Sequence, residues 1–284
     1  MQADQYVVIT GASTGIGAAC AFACAKAGMT VFAGVRTDDA GERLVKAGGT
    51  RIVPVHLDVT EAKSINEAAE IVRRRVGLLG LWGLVNNAGV AIGSPLECIP
   101  IEQLRKQLEV NVIGQVAVTQ AFLPLLRQAR GRIVNMGSIA GRGTIPVMGP
   151  YSASKHALEA VTDALRLELS PWGIEVSIVE PGAIATPIWE KSTKTGEELA
   201  AAAGAEAHAL YGGMVQRVKD AVADAAKQAI SAEAVADVVL HALTAPRPKT
   251  RYLVGTDARI RAAMIKWLPD RAQDWLLRKA LKLE

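Results

Sequence analysis

Val7-Val8-Ile9-Thr10-Gly11-Ala12-Ser13-Thr14-Gly15-Ile16-Gly17 is the stretch on which the fold turns. Its three β-branched residues read as a buried strand, and a turn with little side-chain bulk follows at once. An Ala-rich helical stretch then runs to Ala27, and Gly28 ends it. A strand end, a glycine loop and a helix N-terminus together let a pyrophosphate meet backbone N–H groups and the positive end of a helix. The spacing is T-G-x-x-x-G-x-G, whereas the common dinucleotide fingerprint is G-x-G-x-x-G. Glycine loops also serve plain tight turns, so the rest of the chain must decide.

Moving outward, the same rhythm repeats. Strands are expected at Thr30–Val35, Arg51–Leu57, Gly83–Val85, Arg132–Met136, Ile174–Val179 and Arg251–Val254, with helices near residues 64–76, 102–128, 152–169 and 233–243. Continuous apolar strands alternating with helices predict an α/β fold, with a parallel sheet covered on both faces. Right-handed crossovers make that sheet doubly wound. No internal repeat or linker divides the 284 residues, so a single domain over 1–284 is expected. Two segments depart from the rhythm. Residues 187–231 are Ala-rich, with Gly204, Gly212 and Gly213 as breaks, and are placed to form a helical lid over a ligand crevice. Residues 256–284 form a C-terminal extension of amphipathic helices: Ile260, Met264, Trp267 and Leu268, then Pro269, then Ala272, Leu276, Ala280 and Leu283.

Composition narrows the function. Hydrophobic residues make up 50% and charged residues 21%, which excludes disorder and gives a large aliphatic core. Of the net charge of +4, residues 247–284 carry +6, from ten Lys/Arg against four Asp/Glu, and the body carries −2. A nearly neutral body does not suit nucleic acid. The basic tail is expected to dock on the body or a partner subunit in preference to an anionic membrane surface. Cys20, Cys24 and Cys98 form no C-x-x-C pair, and Cys20 and Cys24 read as buried small residues. His56, His156, His208 and His241 are scattered without metal-ligand spacing, so no catalytic metal is expected. No 18-residue apolar run is evident. Gln2, Asp4 and Gln5 open the chain without a basic leader, and the cytoplasm is the expected compartment.

The glycine loop, taken with Leu57-Asp58-Val59, Asn86-Asn87-Ala88-Gly89, Asn111, Ser138, Tyr151-x-x-x-Lys155 and Pro181-Gly182, resembles the short-chain dehydrogenase/reductase family. These motifs stand in the family's order, with Ser138 thirteen residues before Tyr151. The resemblance implies a Rossmann-like oxidoreductase that uses a nicotinamide dinucleotide. It implies that Gly11, Ser13, Gly15, Ile16, Gly17, Asn87, Ala88 and Gly89 line the dinucleotide. Asp58 and Val59 meet the adenine, and Pro181, Gly182, Ile184 and Thr186 lie at the nicotinamide end. By the same resemblance Lys155 binds the nicotinamide ribose, Ser138 bonds the substrate oxygen, and Asn111 holds a water in a proton relay. A homo-oligomer, dimer or tetramer, is usual in the family.

Residue chemistry agrees with those roles. Hydride transfer to a ketone builds negative charge on oxygen, so the site needs a proton donor and an electrostatic stabiliser. Tyr151 can donate, and Lys155 lies one helical turn on, where its charge would favour the tyrosinate. Lowering the tyrosine pKa by about 3 units corresponds to roughly 4 kcal/mol. Two hydrolase patterns fit poorly: Ser152-x-x-Lys155 lacks its S-D-N and K-T-G partners, and Ser138 lacks the first glycine of G-x-S-x-G, having Met136 there.

NAD-binding sheets usually end the second strand with an acid that bonds the ribose 2′-hydroxyl. Val35 stands there, followed by Arg36, which suits a 2′-phosphate, so NADP(H) is expected. On the substrate side Val147, Met148 and Trp189, with Ser138 and Tyr151, suggest an apolar pocket for a small hydrophobic molecule. The overall pattern is similar to the branch of 17-beta-hydroxysteroid and retinol dehydrogenases, which implies a steroid, retinoid or comparable lipid alcohol or ketone. The alternatives are a 3-oxoacyl or general carbonyl reductase and, from another class, a non-catalytic nucleotide-binding protein.

Overall fold

Parallel strands buried on both faces need apolar residues at every position, and the strands here have them. Seven are found in the computed structural model, which describes residues 5–283 except the side chains of residues 190 and 191. They are β1 (Tyr6–Ile9), β2 (Thr30–Val35), β3 (Ile52–His56), β4 (Gly83–Asn86), β5 (Arg132–Met136), β6 (Glu175–Pro181) and β7 (Arg251–Val254). All pair in parallel, in the order β3-β2-β1-β4-β5-β6-β7. Gln2 and Asp4, read above for the leader, lie outside the described residues, as does Glu284.

Helices cover both faces. On one, α1 (Gly15–Lys26), α2 (Asp38–Gly48) and α9 (Ala232–Thr244) bury Cys20, Cys24, Leu44, Val235 and Val239 against the sheet. Both cysteines are free, and burial pushes both thiols up, Cys24 to about 12, which makes them inert core residues. On the other face, α3 (Ala62–Val76), α5 (Gly114–Ala129) and α6 (Gly149–Leu169) enclose Ile65, Val72, Val118, Phe122 and Leu169. Each such large side chain, fully buried, contributes about 1.5–3 kcal/mol.

Four sequence expectations need correction. First, α2 was not anticipated, because its apolar positions are few and small: Ala40, Gly41 and Leu44 alone are buried. Second, the helix expected at 102–128 is α4 (Ile101–Leu108), a π-helical turn (Glu109–Ile113) and α5, joined without a break. That rod is long and apolar enough, by composition, to cross a membrane. Here it is a core helix whose Gln107, Asn111, Gln115 and Thr119 are buried and hydrogen-bonded within the protein. Third, segment 187–231 folds as α7 (Ile188–Ala202) and α8 (Gly204–Lys227). Gly204, at φ +84°, breaks the pair, whereas Gly212 and Gly213 continue α8. Fourth, α10 (Thr256–Trp267) docks through Ala258, Ala262 and Ile265 against Ile139 and Leu253, so small residues set its approach. Ile260 and Trp267, expected on the docked stripe, are exposed. In α11 (Asp270–Ala280) Leu276 and Leu277 are half-buried, and Leu281 beyond it is buried, while Ala280 is exposed.

Candidate active site

β2 and β3 extend the sheet to one side of β1, and β4 starts on the other, so the loops after β1 and β4 diverge and leave a crevice. Thr10 ties the two loops: its hydroxyl accepts from the N–H groups of Asn87 and Ala88, both at 2.9 Å. In return, Asn87 Nδ2 donates to the carbonyls of Thr10 (3.0 Å) and Gly11 (3.1 Å). Gly17 makes this closeness possible, since a Cβ there would lie 2.3 Å from Gly11 O and 2.5 Å from Asn87 Nδ2. Gly11 takes φ +63°, which side chains rarely adopt, and faces Ala88.

The crevice has a volume of about 650 Å³. Gly11, Ser13, Gly15, Ile16, Gly17, Arg36, Asp58, Val59, Asn87, Ala88, Gly89, Pro181, Gly182, Ile184 and Thr186 line it, together with Ser138, Tyr151 and Lys155. At its floor the N-cap Thr14 makes no side-chain cap bond, and no acid stands in the first turn of α1. The N–H groups there and the helix dipole are available to an anion. Burial works to raise the Asp58 carboxyl, but the Thr60 N–H (2.9 Å) and hydroxyl (2.7 Å), with Arg36 and His56, hold it below the usual aspartate value. It therefore stays an acceptor at neutral pH. Val35 is buried at the end of β2, and Arg36 reaches the cleft beside it. These donors and this shape fit a dinucleotide. Glu102, Arg105, Lys106 and Glu109 also line the cleft and were missed by sequence reading, because they look like the solvated face of an ordinary helix.

α6 carries the reactive groups. Pro150 opens its first turn, and Tyr151 and Lys155 project one turn apart into the cleft. Lys155 is buried, donates from Nζ to Met136 O at 2.7 Å, and lies 5.8 Å from the centre of the Tyr151 ring. Burial pushes Lys155 down to about 8, opposed by the charge of Glu159. Burial pushes the Tyr151 phenol up, and the Ser138 hydroxyl opposes that rise. Tyr151 is thus held as a proton donor. Ser138 begins a short turn and its Oγ accepts from the Ala140 N–H at 3.1 Å.

Asn111 sits on the π-helical turn, behind the cleft and fully buried. Val90 N–H donates to its Oδ1 (2.9 Å), and its Nδ2 donates to Val90 O (2.9 Å) and Ser154 Oγ (3.0 Å). Its side chain ties the post-β4 loop to α6. Gln107, one turn earlier, holds the same loop to α4, donating to Val90 O at 2.6 Å and accepting from the Ile92 N–H at 2.7 Å. No motif marks Gln107; only its place one turn before Asn111 could have found it.

A second cavity, again about 650 Å³, opens between α7, α8 and the loops after β4 and β5. Val147, Met148 and Trp189 line it as expected, with Leu199, Ala203, Val215 and Val218. Trp189 lines both cavities, and its Nε1 donates to Ile184 O at 3.0 Å. His208 and Tyr211 also face this cavity, and Tyr211 bonds Glu97 across its mouth. Neither stood out in the sequence.

Comparison with known proteins agrees with this geometry. Residues 5–197 match the short chain dehydrogenase family. The chain belongs to that family. It is 37% identical, over 98% of both chains, to the NADPH-dependent 3-dehydrocapnine reductase of Ornithobacterium rhinotracheale. It is 40% identical to 17-beta-hydroxysteroid dehydrogenase type 6 of Bos taurus, over 98% of this chain and 89% of that one. A short chain dehydrogenase of Burkholderia cenocepacia, solved in complex with NADP, superposes with a TM-score of 0.74 at 28% identity over 99% of each chain. As a short chain dehydrogenase the protein is an oxidoreductase with a Rossmann-like fold. The Ser152-x-x-Lys155 hydrolase pattern falls away: Ser152 is buried and does not line the cleft, and its Oγ has no partner.

Proposed function

We propose that the protein transfers a hydride between NADP(H) and a hydrophobic secondary alcohol or ketone, of hydroxysteroid or retinoid-like size and polarity. The observation that carries this reading is that Trp189 lines both the dinucleotide cleft holding Ser138, Tyr151 and Lys155 and a neighbouring, mostly apolar cavity. NADP(H) is favoured by Arg36 beside the cleft, with Val35 in the place of a ribose-binding acid, and by the NADPH dependence named for one relative. When bound, the dinucleotide supplies the hydride. Ser138 Oγ and Tyr151 Oη then hold the substrate oxygen, and Tyr151 donates its proton as charge develops there. Lys155 keeps a positive charge beside the phenol, which stabilises the tyrosinate left behind. α7 and α8 act as the lid that keeps water from the site.

The test is a panel of steroids, retinoids, 3-oxoacyl thioesters and aromatic ketones, followed by NADPH absorbance. Turnover is expected with steroids or retinoids, at higher kcat/KM with NADPH than with NADH. A preference for 3-oxoacyl thioesters, or equal efficiency with NADH, overturns the corresponding half of the proposal.

A further inference from the structure

Tyr151, Lys155 and Glu159 recur every four residues along α6 and therefore stack on one face. The first two line the cleft; Glu159 carries the same row inward, beneath Lys155. The turn after β5 packs directly on this row, for a Cβ on Gly141 would lie 3.0 Å from Lys155 O and 3.3 Å from Glu159 Cγ. There Glu159 meets Glu180, the β6 residue just before the Pro181-Gly182 stretch that lines the cleft. The Glu180 side chain is wholly buried.

The bonds around this pair are uneven. Arg142 grips Glu180 with both arms, Nε to Oε1 and Nη2 to Oε2 at 2.7 Å. Arg251 of β7 divides itself, with Nε to Glu159 Oε2 at 3.2 Å and Nη2 to Asp163 Oδ2 at 2.7 Å. Asp163 takes a further bond from Arg166 at 3.0 Å. Glu159 Oε1 is left buried with no partner. Two adjacent carboxylates out of water repel each other, and an orphaned buried acceptor is destabilising. A hydrogen on Glu159 Oε1, donated to Glu180, removes both penalties. Glu180 is the ionised member, because both of its oxygens already accept from Arg142.

We propose that Glu159 and Glu180 share one proton, and that this carboxyl pair is a positioning device whose charge state governs the charge on Lys155. Burial first, and then Glu180, push the Glu159 midpoint up from the usual carboxylate range, against the pull of Arg251 and Arg142. The groups facing Glu159 are Lys155 and Asp163 from α6, Glu180 from β6, Arg142 from the turn after β5, and Arg251 from β7. Below that midpoint Glu159 is neutral and gives Lys155 no support. Above it, the carboxylate favours the lysine cation just where burial would otherwise discharge it. The pair thus extends upward the pH range in which Lys155 can stabilise the tyrosinate. The inference uses the proposed reaction only in giving Lys155 that task.

Two readouts test it on the full chain. Infrared difference spectra between the acid and alkaline sides of the Glu159 midpoint should show a protonated-carboxyl band that is absent from Glu159→Gln; no substrate is needed. The pH dependence of kcat/KM should show its alkaline limb moved down by about one pH unit in Glu159→Gln and largely restored in Glu159→Asp. If no panel compound turns over, the proposed reaction fails while the infrared band and the pH dependence of NADPH affinity still decide this inference. If Glu159→Gln does not fold, Glu180→Gln serves instead, and its carboxyl band should titrate at lower pH. A band that survives Glu159→Gln, or a limb that stays in place while kcat merely drops, overturns the proposal.

Discussion

The two sides of the active-site cleft are made of different material. On the β1–β4 side the walls are backbone: loops drawn together by Thr10 and Asn87, closed over a Gly17 that has no room for a methyl group. On the α7–α8 side the walls are side chains on two helices, and along α8 only Val218 is fully buried. A wall of backbone accepts few residue types and holds one shape for one ligand class. A wall of side chains can be refaced residue by residue without loss of the sheet, which is where substrate choice can diverge within one fold.

Tyr151 lines the cleft as its proton donor, and its loss should have the largest effect. Tyr151→Phe removes the proton donor and alters neither wall. It should lower kcat about 10³-fold, the usual reach of general acid catalysis, and leave NADPH affinity unchanged by fluorescence titration. Weakened NADPH binding would mean that the phenol belongs to the dinucleotide wall. Next comes the backbone side itself. Gly17→Ala forces a Cβ onto Gly11 O, and overpacking of this kind costs about 1–3 kcal/mol, so NADPH affinity should fall roughly tenfold to a hundredfold.

The same contrast decides what could be read from the sequence. The backbone side was legible through the family resemblance, whose motifs fall on glycines and other short residues fixed by close backbone approach; every residue assigned to it lines the cleft. On the other side only Val147, Met148 and Trp189 were found, and His208 and Tyr211 were not. A helical face says that something packs there, but not what crosses the gap. The buried network was equally hidden. Glu159 and Glu180 lie 21 positions apart and look like any solvated acids until β6 and α6 are packed together. The π-helical turn at Asn111 was likewise invisible, because one extra residue in a helix leaves the apolar pattern nearly intact.

A smaller effect is expected at the cleft's edge, where one exposed side chain supplements the backbone. Arg36→Leu should reduce the ratio of NADPH to NADH efficiency about tenfold to a hundredfold, the value of a charge-assisted phosphate contact of about 1.5–3 kcal/mol. NADH efficiency itself should hardly move. If both cofactors lose equally, Arg36 shapes the loop and does not read the phosphate.

The smallest effect sharpens the comparison most, because it repeats the substitution made at Gly17. Gly213 lies exposed inside α8, with helical backbone and nothing within 4 Å of a would-be Cβ. Gly213→Ala therefore meets no clash and removes conformational freedom from the unfolded chain. It should stabilise the helix by about 0.5–1 kcal/mol, read as a small rise in the thermal unfolding midpoint, with NADPH affinity unchanged. Gly204→Ala, at the other end of this stretch of α8, must go the other way, since φ +84° between α7 and α8 strains any side chain despite open space. Opposite signs at Gly213 and Gly204 would assign tolerance on this side to backbone conformation. Equal losses at both would mean that α8 is packed as tightly as the glycine loop, and the distinction between the two walls would fail.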